Sequence, residues 1–473
     1  MIKFGTDGWR AVISDDFTFE NVVLVSQAIA DYFNKRAQLS QRKDAPEIVV
    51  GYDTRFLSES YAQMVAEVLS GNGIKVYLIN KPSPTPMVCF FIKKHKLSGG
   101  IIITASHNPP QYNGIKIKMD YAGPAEPEVT KEIESFIGQS KIRRINQKEA
   151  IEKKLLELID PSQEYVKFLR SYLNLSLLRR RSYRILVDVM YGTGDDFIPR
   201  ILKGTKCKVT LLHQERNPLF GGINPEPIPK NMKEVVEKMK KGKFDLAIVN
   251  DGDADRVSCV RPDGRIINAG GVLALIILHL LEDRKWLGGV VKTISNTTLI
   301  NKIAQKYNLK LYETAVGFKY VAKIMREEDI LAGGEESGGI GVKHYLPERD
   351  GMLTGLLILE MMAYRRKSII EIMNDIDREF GKFYYVREDI HYPQELKNKL
   401  FLVLKEKPFE NILGKKVLEV KDFDGIKFIS ADESWLLFRL SGTEPILRIY
   451  AEAHTQKRAD MLLKFGKEFA LNL

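Results

Sequence analysis

One pattern of strands and helices occurs three times in this chain of 473 residues. Each copy reads strand, helix, strand, helix, strand, and a loop of small or acidic residues follows the third strand. The predicted strands are EIVVGYDTR (47–55), IKVYLIN (74–80) and GGIIITASHNP (99–109); then RILVDVMYGTG (184–194), CKVTLLH (207–213) and FDLAIVNDGDADR (244–256); then GGVVKTISNTT (288–298), LKLYETAVGFK (309–319) and DILAGGEESGG (329–339). Because this alternation favours parallel pairing, the repeat predicts three similar α/β domains with mixed, largely parallel sheets.

The C-terminal part follows another pattern. Its segments KFYYVREDIHY and KKVLEVKDFDGIKFISADESWLLFRLSGTEPILRIYAEAH are typical of antiparallel strands with helices, and KRADMLLKFGKEFAL is a closing helix. We therefore predict α/β domains at 1–155, 156–265 and 266–378, followed by an α+β domain at 379–473.

Composition narrows the class of partner. The net charge of +11 suits nucleic acid, an acidic membrane or small phosphorylated substrates. Without an arginine-rich tract, zinc-finger spacing or aromatic-basic interleaving, we expect no nucleic acid partner. The longest apolar run, GGVLALIILHLL (270–281), is too short to span a membrane and predicts a buried helix. The chain has three widely spaced cysteines, and its first residues, MIKFGTDGWR, do not resemble a signal peptide. Both features are typical of a cytoplasmic protein.

The loop VNDGDADRVS (249–258) carries three alternating carboxylates. Asp251, Asp253 and Asp255 follow a buried apolar strand, and the small residues between them let the backbone turn tightly. Oxygen-only ligands suit a hard cation such as Mg²⁺. An EF-hand calcium loop needs Gly and Glu where this chain has Arg256 and Pro262, so that alternative fails. We predict a magnesium site, with a solvated acidic turn as the alternative.

The loop TASHNPPQYNGIKI contains Ser106 beside His107. Serine is a weak nucleophile without a base or a metal, adjacent residues rarely face each other, and the G-x-S-x-G pattern is missing. A hydrolase triad is therefore weakly supported. Ser106 could instead carry a phosphoryl group whose oxygen completes the coordination of the metal, or the segment could be a simple turn closed by its two prolines.

Two further loops suggest a ligand. GGEESGG (333–339) offers Glu335, Glu336 and Ser337, which can hydrogen-bond sugar hydroxyls, although a plain surface turn is the alternative. The segment FRLSGTEPILRIYAE (438–452) is not a Walker loop, but its hydroxyls, backbone N–H groups and guanidinium groups suit a phosphate. The residues concerned are Arg439, Ser441, Gly442, Thr443 and Arg448.

With these motifs in order along the whole chain, the sequence resembles the α-D-phosphohexomutase superfamily, the phosphoglucomutases and phosphomannomutases. The shared motifs are FGTDGWR, TASHNP, DGDADR, GEESGG and SGTEPILRIY. The resemblance implies four domains around a central cleft, an intramolecular phosphotransferase activity, and hexose phosphates as small-molecule substrates. It implies no membrane partner, and it leaves a monomer and a homodimer both open.

The resemblance also implies a role for each site residue. Ser106 matches the phosphoserine, and the three aspartates match the Mg²⁺ ligands that this serine completes. Arg10 and Lys116 are expected near the transferring phosphate, and His107 and Lys116 are candidates for proton transfer, with Lys116 first. The expected substrate contacts are Arg256, Gly317, Lys319, Glu335, Ser337 and the SGTEP loop with its two arginines, and Lys292 is a weaker match.

The sugar is predicted from departures within the GEES loop. Phosphomannomutase-like members typically carry a histidine where this chain has Gly339, and phosphoglucosamine mutases usually show Gln-Ser where it has Glu336-Ser337. We therefore expect interconversion of glucose 1-phosphate and glucose 6-phosphate, with glucose 1,6-bisphosphate as intermediate and activator. The alternatives are a phosphomannomutase or dual-specificity mutase, then a phosphoglucosamine mutase, a catalytically silent sugar-phosphate-binding regulator, and a metal-dependent phosphatase.

Overall fold

The fold is taken from a computed structural model that describes residues 2–5, 7–40, 44–440 and 446–473. Four sheets follow one another along these residues, and the first three repeat one arrangement. The three similar α/β domains and the distinct C-terminal domain predicted from the sequence are confirmed.

The first sheet has the order β1-β5-β4-β2-β3-β6. Strands β4, β2, β3 and β6 are parallel, and β5 is antiparallel to β4 and β1. Its strands are β1 Trp9–Val12, β2 Glu47–Tyr52, β3 Lys75–Ile79, β4 Gly99–Ile103, β5 Tyr112–Met119 and β6 Leu156–Ile159. The helices are α1 Phe19–Leu39, α2 Ser58–Gly71, α3 Thr85–His95, α4 Pro127–Phe136 and α5 Gln147–Glu152. Because β6 pairs with β3, this sheet runs past the boundary expected at residue 155.

The second sheet has the order β11-β10-β9-β7-β8, with β7 parallel to β8 and β9. Its strands are β7 Arg184–Asp188, β8 Lys208–Leu212, β9 Leu246–Asn250, β10 Val257–Val260 and β11 Ile266–Ile267. The helices are α6 Ser162–Tyr172, α7 Leu175–Leu178, α8 Phe197–Leu202 and α9 Lys233–Lys241, with a 3₁₀ turn at Phe220–Gly222.

The third sheet has the order β13-β12-β14-β15, with β12 parallel to β13 and β14. Its strands are β12 Gly289–Thr293, β13 Leu311–Thr314, β14 Ile330–Gly334 and β15 Ile340–Val342. The helices are α10 Ala269–Leu278, continued by a π-helical turn His279–Asp283, and α11 Leu299–Lys306, α12 Phe318–Glu327, α13 Gly351–Arg365 and α14 Ile369–Phe380.

The fourth sheet is antiparallel throughout, in the order β16-β21-β20-β19-β18-β17. Its strands are β16 Tyr384–His391, β17 Asn411–Ile412, β18 Lys415–Lys421, β19 Ile426–Ser430, β20 Trp435–Leu440 and β21 Ile446–Ala453. Its helices are α15 Gln394–Glu406 and α16 Gln456–Leu471.

Helices α10 and α13 lie in the large hydrophobic core that the second and third sheets share. Helix α10 is apolar on nearly all sides, and the side chain of Asn268 caps its N-terminus by accepting from the N–H of Gly271 at 2.8 Å. Its fully buried Leu and Ile side chains each contribute about 1.5–3 kcal/mol of transfer free energy. Within the described ranges, every helix is too short or too polar to cross a bilayer.

Candidate active site

The three loops predicted from the repeat follow β4, β9 and β14, which occupy the same place in their sheets. Ligands of α/β sheets bind beyond the carboxyl ends of such strands. Here the ends face one cavity of about 240 Å³, to which all four domains contribute residues. The cavity is lined by many cationic side chains: Lys3, Arg10, Arg256, Lys319, Arg349, Arg387, Arg439 and Arg448.

Ser106 is buried at the start of the loop after β4. Its φ of 52° lies in the left-handed region, which costs a residue with a side chain of order 1–3 kcal/mol unless the surroundings impose it. The guanidinium of Arg55 donates to the Ser106 carbonyl at 2.7 Å, and the Ser106 N–H donates to Oγ1 of Thr104 at 2.8 Å. The Ser106 hydroxyl then donates to Oδ2 of Asp251 at 2.9 Å, so the first domain presents its serine to the acidic loop of the second.

The loop after β9 approaches the serine closely at Gly252. A Cβ at this position would lie 2.8 Å from the Ser106 carbonyl oxygen, so a larger residue would push the two loops apart.

Asp251, Asp253 and Asp255 are buried, and one carboxylate oxygen from each lies within 4.8 Å of the others. Oδ1 of Asp253 and Oδ1 of Asp255 are buried without a hydrogen-bond partner among the described residues. Burial and the two neighbouring carboxylates raise the pKa of Asp251 well above its ordinary value. Unsatisfied buried carboxylate oxygens are costly, and a divalent cation would satisfy them, so the residues fit Mg²⁺ with Ser106 as an additional oxygen.

Lys116, on β5, forms ion pairs with two of the aspartates in the loop after β9. Its Nζ lies 2.7 Å from Oδ2 of Asp253, 2.8 Å from Oδ2 of Asp255 and 3.3 Å from Oδ2 of Asp7. Burial works against the charge of Lys116, but these carboxylates raise its pKa, and Lys116 in turn lowers the pKa of Asp253 against the effect of burial. The side chain of Lys116 is therefore enclosed by carboxylates.

His107 and Arg10 line the cleft beside the serine. His107 Nδ1 lies 3.5 Å from the Ser106 hydroxyl oxygen. Burial, followed by the charges of Arg256 and Arg10, holds the pKa of His107 well below its ordinary value and so favours the neutral imidazole. Nη1 of Arg10 donates to Oδ1 of Asn108 at 2.7 Å, which fixes the guanidinium over the same loop.

Arg256 follows the aspartates and forms only long ion pairs in the described structure. Its nearest carboxylate oxygens, on Asp251, Asp255 and Glu226, lie 3.8–3.9 Å away, beyond ordinary hydrogen-bond distance. Its donors are therefore available to an anion in the cleft.

The loop after β14 brings Glu335 and Ser337 to the cleft. Oγ of Ser337 is buried without a partner in the part of the chain that the structure describes. Burial raises the pKa of Glu335, although Arg349 and Arg256 oppose the effect. Lys319, early in α12, faces the same space, and Gly317 precedes it with a φ of 134°, which favours glycine.

The fourth domain contributes Arg439 and Arg448 as predicted from the sequence motif, together with Arg387 on β16. Asp389 fixes the Arg387 guanidinium through two hydrogen bonds of 2.6 and 2.5 Å. Asp424 accepts from Nε of Arg439 at 2.9 Å. The predicted contacts Ser441, Gly442 and Thr443 lie outside the described residues.

Lys292 lies outside the cleft. It is buried, donating to the Thr297 carbonyl at 3.2 Å and lying 3.5 Å from Oε1 of Glu313, whose Oε2 pairs with Lys421 of the fourth domain at 2.6 Å. The sequence match at β12 places the residue correctly on its strand but not in the cavity, because the side chain turns towards the interface.

Sequence reasoning missed Asp7, Arg349 and Arg387. Asp7 belongs to the FGTDGWR motif. It could have been predicted as a site residue, because a cleft rich in cationic side chains needs carboxylates to pair with them. Arg349 and Arg387 lie outside every motif, and nothing in a single sequence separates them from surface arginines.

Four family models match the chain. They are phosphoglucomutase/phosphomannomutase alpha/beta/alpha domain I at residues 1–144, domain II at 163–264, domain III at 269–380, and the C-terminal domain at 402–465. The chain belongs to the phosphoglucomutase/phosphomannomutase family. It is therefore a phosphohexomutase-type enzyme, an intramolecular phosphotransferase of carbohydrate metabolism.

Relatives of similar length agree in fold and differ in the sugar they are named for. The chain is 30% identical to a phosphoglucosamine/phosphogalactosamine mutase of Sulfurisphaera tokodaii, over 97% of each chain. It is 29% identical to a phosphoglucomutase/phosphomannomutase of Thermococcus kodakarensis, over 98% of this chain and 97% of the other. The crystal structure of a "putative phosphomannomutase" from Thermus thermophilus is 32% identical with a TM-score of 0.86, covering 99% of this chain and 98% of the other.

Proposed function

We propose that the chain is a Mg²⁺-dependent mutase that interconverts the 1-phosphate and 6-phosphate of a hexose through phospho-Ser106 and a hexose 1,6-bisphosphate. The observation that carries the proposal is the Ser106 hydroxyl, 2.9 Å from Asp251, next in the chain to His107, which lines a cleft bordered by cationic groups from every domain. A serine that shuttles a phosphoryl group between two ends of one sugar needs this combination of acceptor, metal ligands and anion contacts.

The first transfer moves the phosphoryl group from Ser106 to the free hydroxyl of the hexose monophosphate. The bond between phosphorus and Oγ of Ser106 breaks, a bond to the sugar oxygen forms, and the hydroxyl proton passes to a base. The bisphosphate then turns within the cleft, and its other phosphoryl group returns to Ser106. Each hydroxyl proton is returned in the reverse step, so the cycle is balanced.

Charge neutralisation falls to the cation and to the arginines. Mg²⁺ bound by Asp251, Asp253 and Asp255 would stabilise negative charge on the transferring oxygens. Arg10 and Arg256 both line the cleft, and the nearest carboxylate oxygens to Arg256 lie 3.8–3.9 Å away.

The proton acceptor is Lys116 or His107. Lys116 ranks first from the sequence, but in the structure three carboxylates enclose it. His107 faces the cleft directly. This exposure favours His107, and the variants described in the Discussion separate the two.

The phosphate that stays in place is proposed to bind the fourth domain. Arg387, Arg439 and Arg448 line the cleft on three neighbouring strands, and guanidinium groups suit the geometry of a phosphate. Movement of this domain would let the bisphosphate turn without escaping. Glucose 1,6-bisphosphate is the proposed activator, because it rephosphorylates an empty Ser106.

Glucose is the first proposed sugar, from the GEESGG loop. Glucosamine is the second, because several relatives are named for it and because the carboxylates of Glu226, Glu335 and Glu336 line the cleft, where they could bind an ammonium group.

A comparison of kcat/KM for glucose 1-phosphate, glucosamine 1-phosphate and mannose 1-phosphate, with Mg²⁺ and a trace of the matching bisphosphate, tests the proposal. Preference for glucose supports the first sugar, and preference for glucosamine supports the second. Net release of inorganic phosphate would indicate a phosphatase. No turnover of any of them by protein phosphorylated at Ser106 would favour a regulator.

A further inference from the structure

Arg349 lies in the loop between β15 and α13, outside every motif that predicted the site, and is 4% exposed. Nη2 of its guanidinium lies 2.7 Å from Oδ2 of Asp7 and 2.8 Å from Oδ2 of Asp255. Nη1 donates to Oε2 of Glu335 at 3.4 Å, a long hydrogen bond. One planar group thus joins the N-terminal segment, the loop after β9 that carries Asp255 (the metal loop) and the loop after β14 that carries Glu335 (the sugar loop).

The stem of Arg349 also fixes the sugar loop by packing. A Cβ added at Gly339 would lie 2.3 Å from Cδ and 3.0 Å from Cγ of Arg349, so any larger residue at position 339 would displace the arginine side chain. The backbones of the two loops meet at the same place, because the N–H of Val257 donates to the Gly338 carbonyl at 3.1 Å. A displacement of either loop would therefore also move the other.

We propose that Arg349 is a positioning residue that couples cation binding at Asp255 to sugar recognition by Glu335. The inference rests on the proposed function, since it needs both a bound cation and a bound hexose phosphate. The oxygen of Asp255 that faces Arg349 is not the one left without a partner, so a cation can engage Oδ1 while Oδ2 keeps its contact. A cation at Asp255 neutralises part of the charge of that carboxylate, so Asp255 attracts the Arg349 guanidinium less strongly. The guanidinium then interacts more strongly with Glu335 and holds Glu335 in the position that sugar hydroxyls require.

Coupling of this kind is reciprocal, so it can be measured on the cation alone. The parent protein carries Ser106→Ala, which prevents phosphoryl transfer, and Mn²⁺ serves as the paramagnetic probe. Its Kd is measured with and without saturating glucose 1-phosphate, or glucosamine 1-phosphate if the mutase assay ranks that sugar first. The ratio of the two Kd values is the coupling.

We expect the ratio to fall by about fivefold or more on Arg349→Met. The matched control is Lys319→Met, which also removes a cation from the sugar side of the cleft; it should weaken sugar binding and leave the ratio unchanged. Arg349→Lys keeps the charge but cannot reach Asp255 and Glu335 together, so it should lose the coupling as well, and it serves if the Met variant fails to fold.

An unchanged ratio in either folded Arg349 variant would overturn the inference while leaving the proposed function intact. An equal fall in the Lys319 control would overturn it too, because the effect would then follow any lost charge. A parent protein that binds neither Mn²⁺ nor sugar phosphate would overturn the inference and the proposed function together.

Discussion

The hydroxyl of Thr85 donates to Oδ2 of Asp253 at 2.5 Å, and the N–H of Thr85 donates to the Asp253 carbonyl at 3.0 Å. Thr85 is the first residue of α3 in the first domain, whereas Asp253 belongs to the metal loop of the second. The start of a helix therefore holds the loop of another domain in place, which ties the geometry of the metal site to the contact between the two domains.

Replacing Thr85 with Val should weaken cation binding about fivefold to tenfold, because it removes a hydrogen bond to a buried charged group, a loss of ~1.5–3 kcal/mol shared between stability and binding. Calorimetric titration with Mg²⁺ or Mn²⁺ measures the affinity. Thr54→Val is the matched control, since the Thr54 hydroxyl donates at 2.8 Å to the carbonyl of Tyr191 across the same pair of domains. Equal cation affinity in Thr85→Val and the wild type would contradict the role given to this contact.

Ser106→Ala should lower mutase activity by more than about a thousandfold, because the covalent step is removed. The left-handed φ of residue 106 is imposed by its neighbours, so the fold should persist, and circular dichroism checks this. Phosphorylation by hexose bisphosphate, followed by mass spectrometry, should label the wild type and not the variant. Activity close to that of the wild type would refute the phosphoserine.

The two candidate bases should behave differently when removed. His107→Ala should lower kcat by about a hundredfold or more with little change in stability, because His107 faces the cleft. Lys116→Met, in contrast, should lower the free energy of unfolding by ~3–5 kcal/mol, since it leaves the buried carboxylates of Asp253 and Asp255 without the ammonium group that pairs with them. Denaturant melts and kcat measured on both variants test this split. Unchanged kcat in His107→Ala would return the proton-transfer role to Lys116.

Stability should depend on pH through His213. Burial lowers the pKa of this imidazole, but the hydrogen bonds and charges of Asp188 and Glu234, at 3.0 and 3.1 Å, raise it above the ordinary 6.5 overall. A group with a raised folded-state pKa stabilises the fold fully below its unfolded pKa and loses that effect as pH rises through the folded value.

The difference in Tm between the wild type and His213→Gln should therefore be largest below pH 6.5 and shrink at more alkaline pH. Thermal melts over a pH series measure it. A difference that grows with pH would show that His213 stabilises the protein by another route.

The sequence by itself determined the repeat, the distinct final domain and most of the cleft. Strand and helix periodicity, together with loops that follow apolar strands, depends on local chemistry, so the loops after β4, β9 and β14 could be identified before any coordinates. The aspartates, the serine and the GEES loop were found in this way. The domain limits were less sharply defined, since β6 joins the first sheet only through its pairing with β3.

Only the tertiary structure decided which side chains meet. Lys292 sits on its expected strand yet turns into a domain interface, whereas Arg349, in no motif, bridges three loops. Both outcomes depend on the direction of a side chain and on what packs against it from residues far away in sequence. Such non-local contacts leave no periodic trace in one chain, which is why charge and spacing predicted the loops but not the network between them.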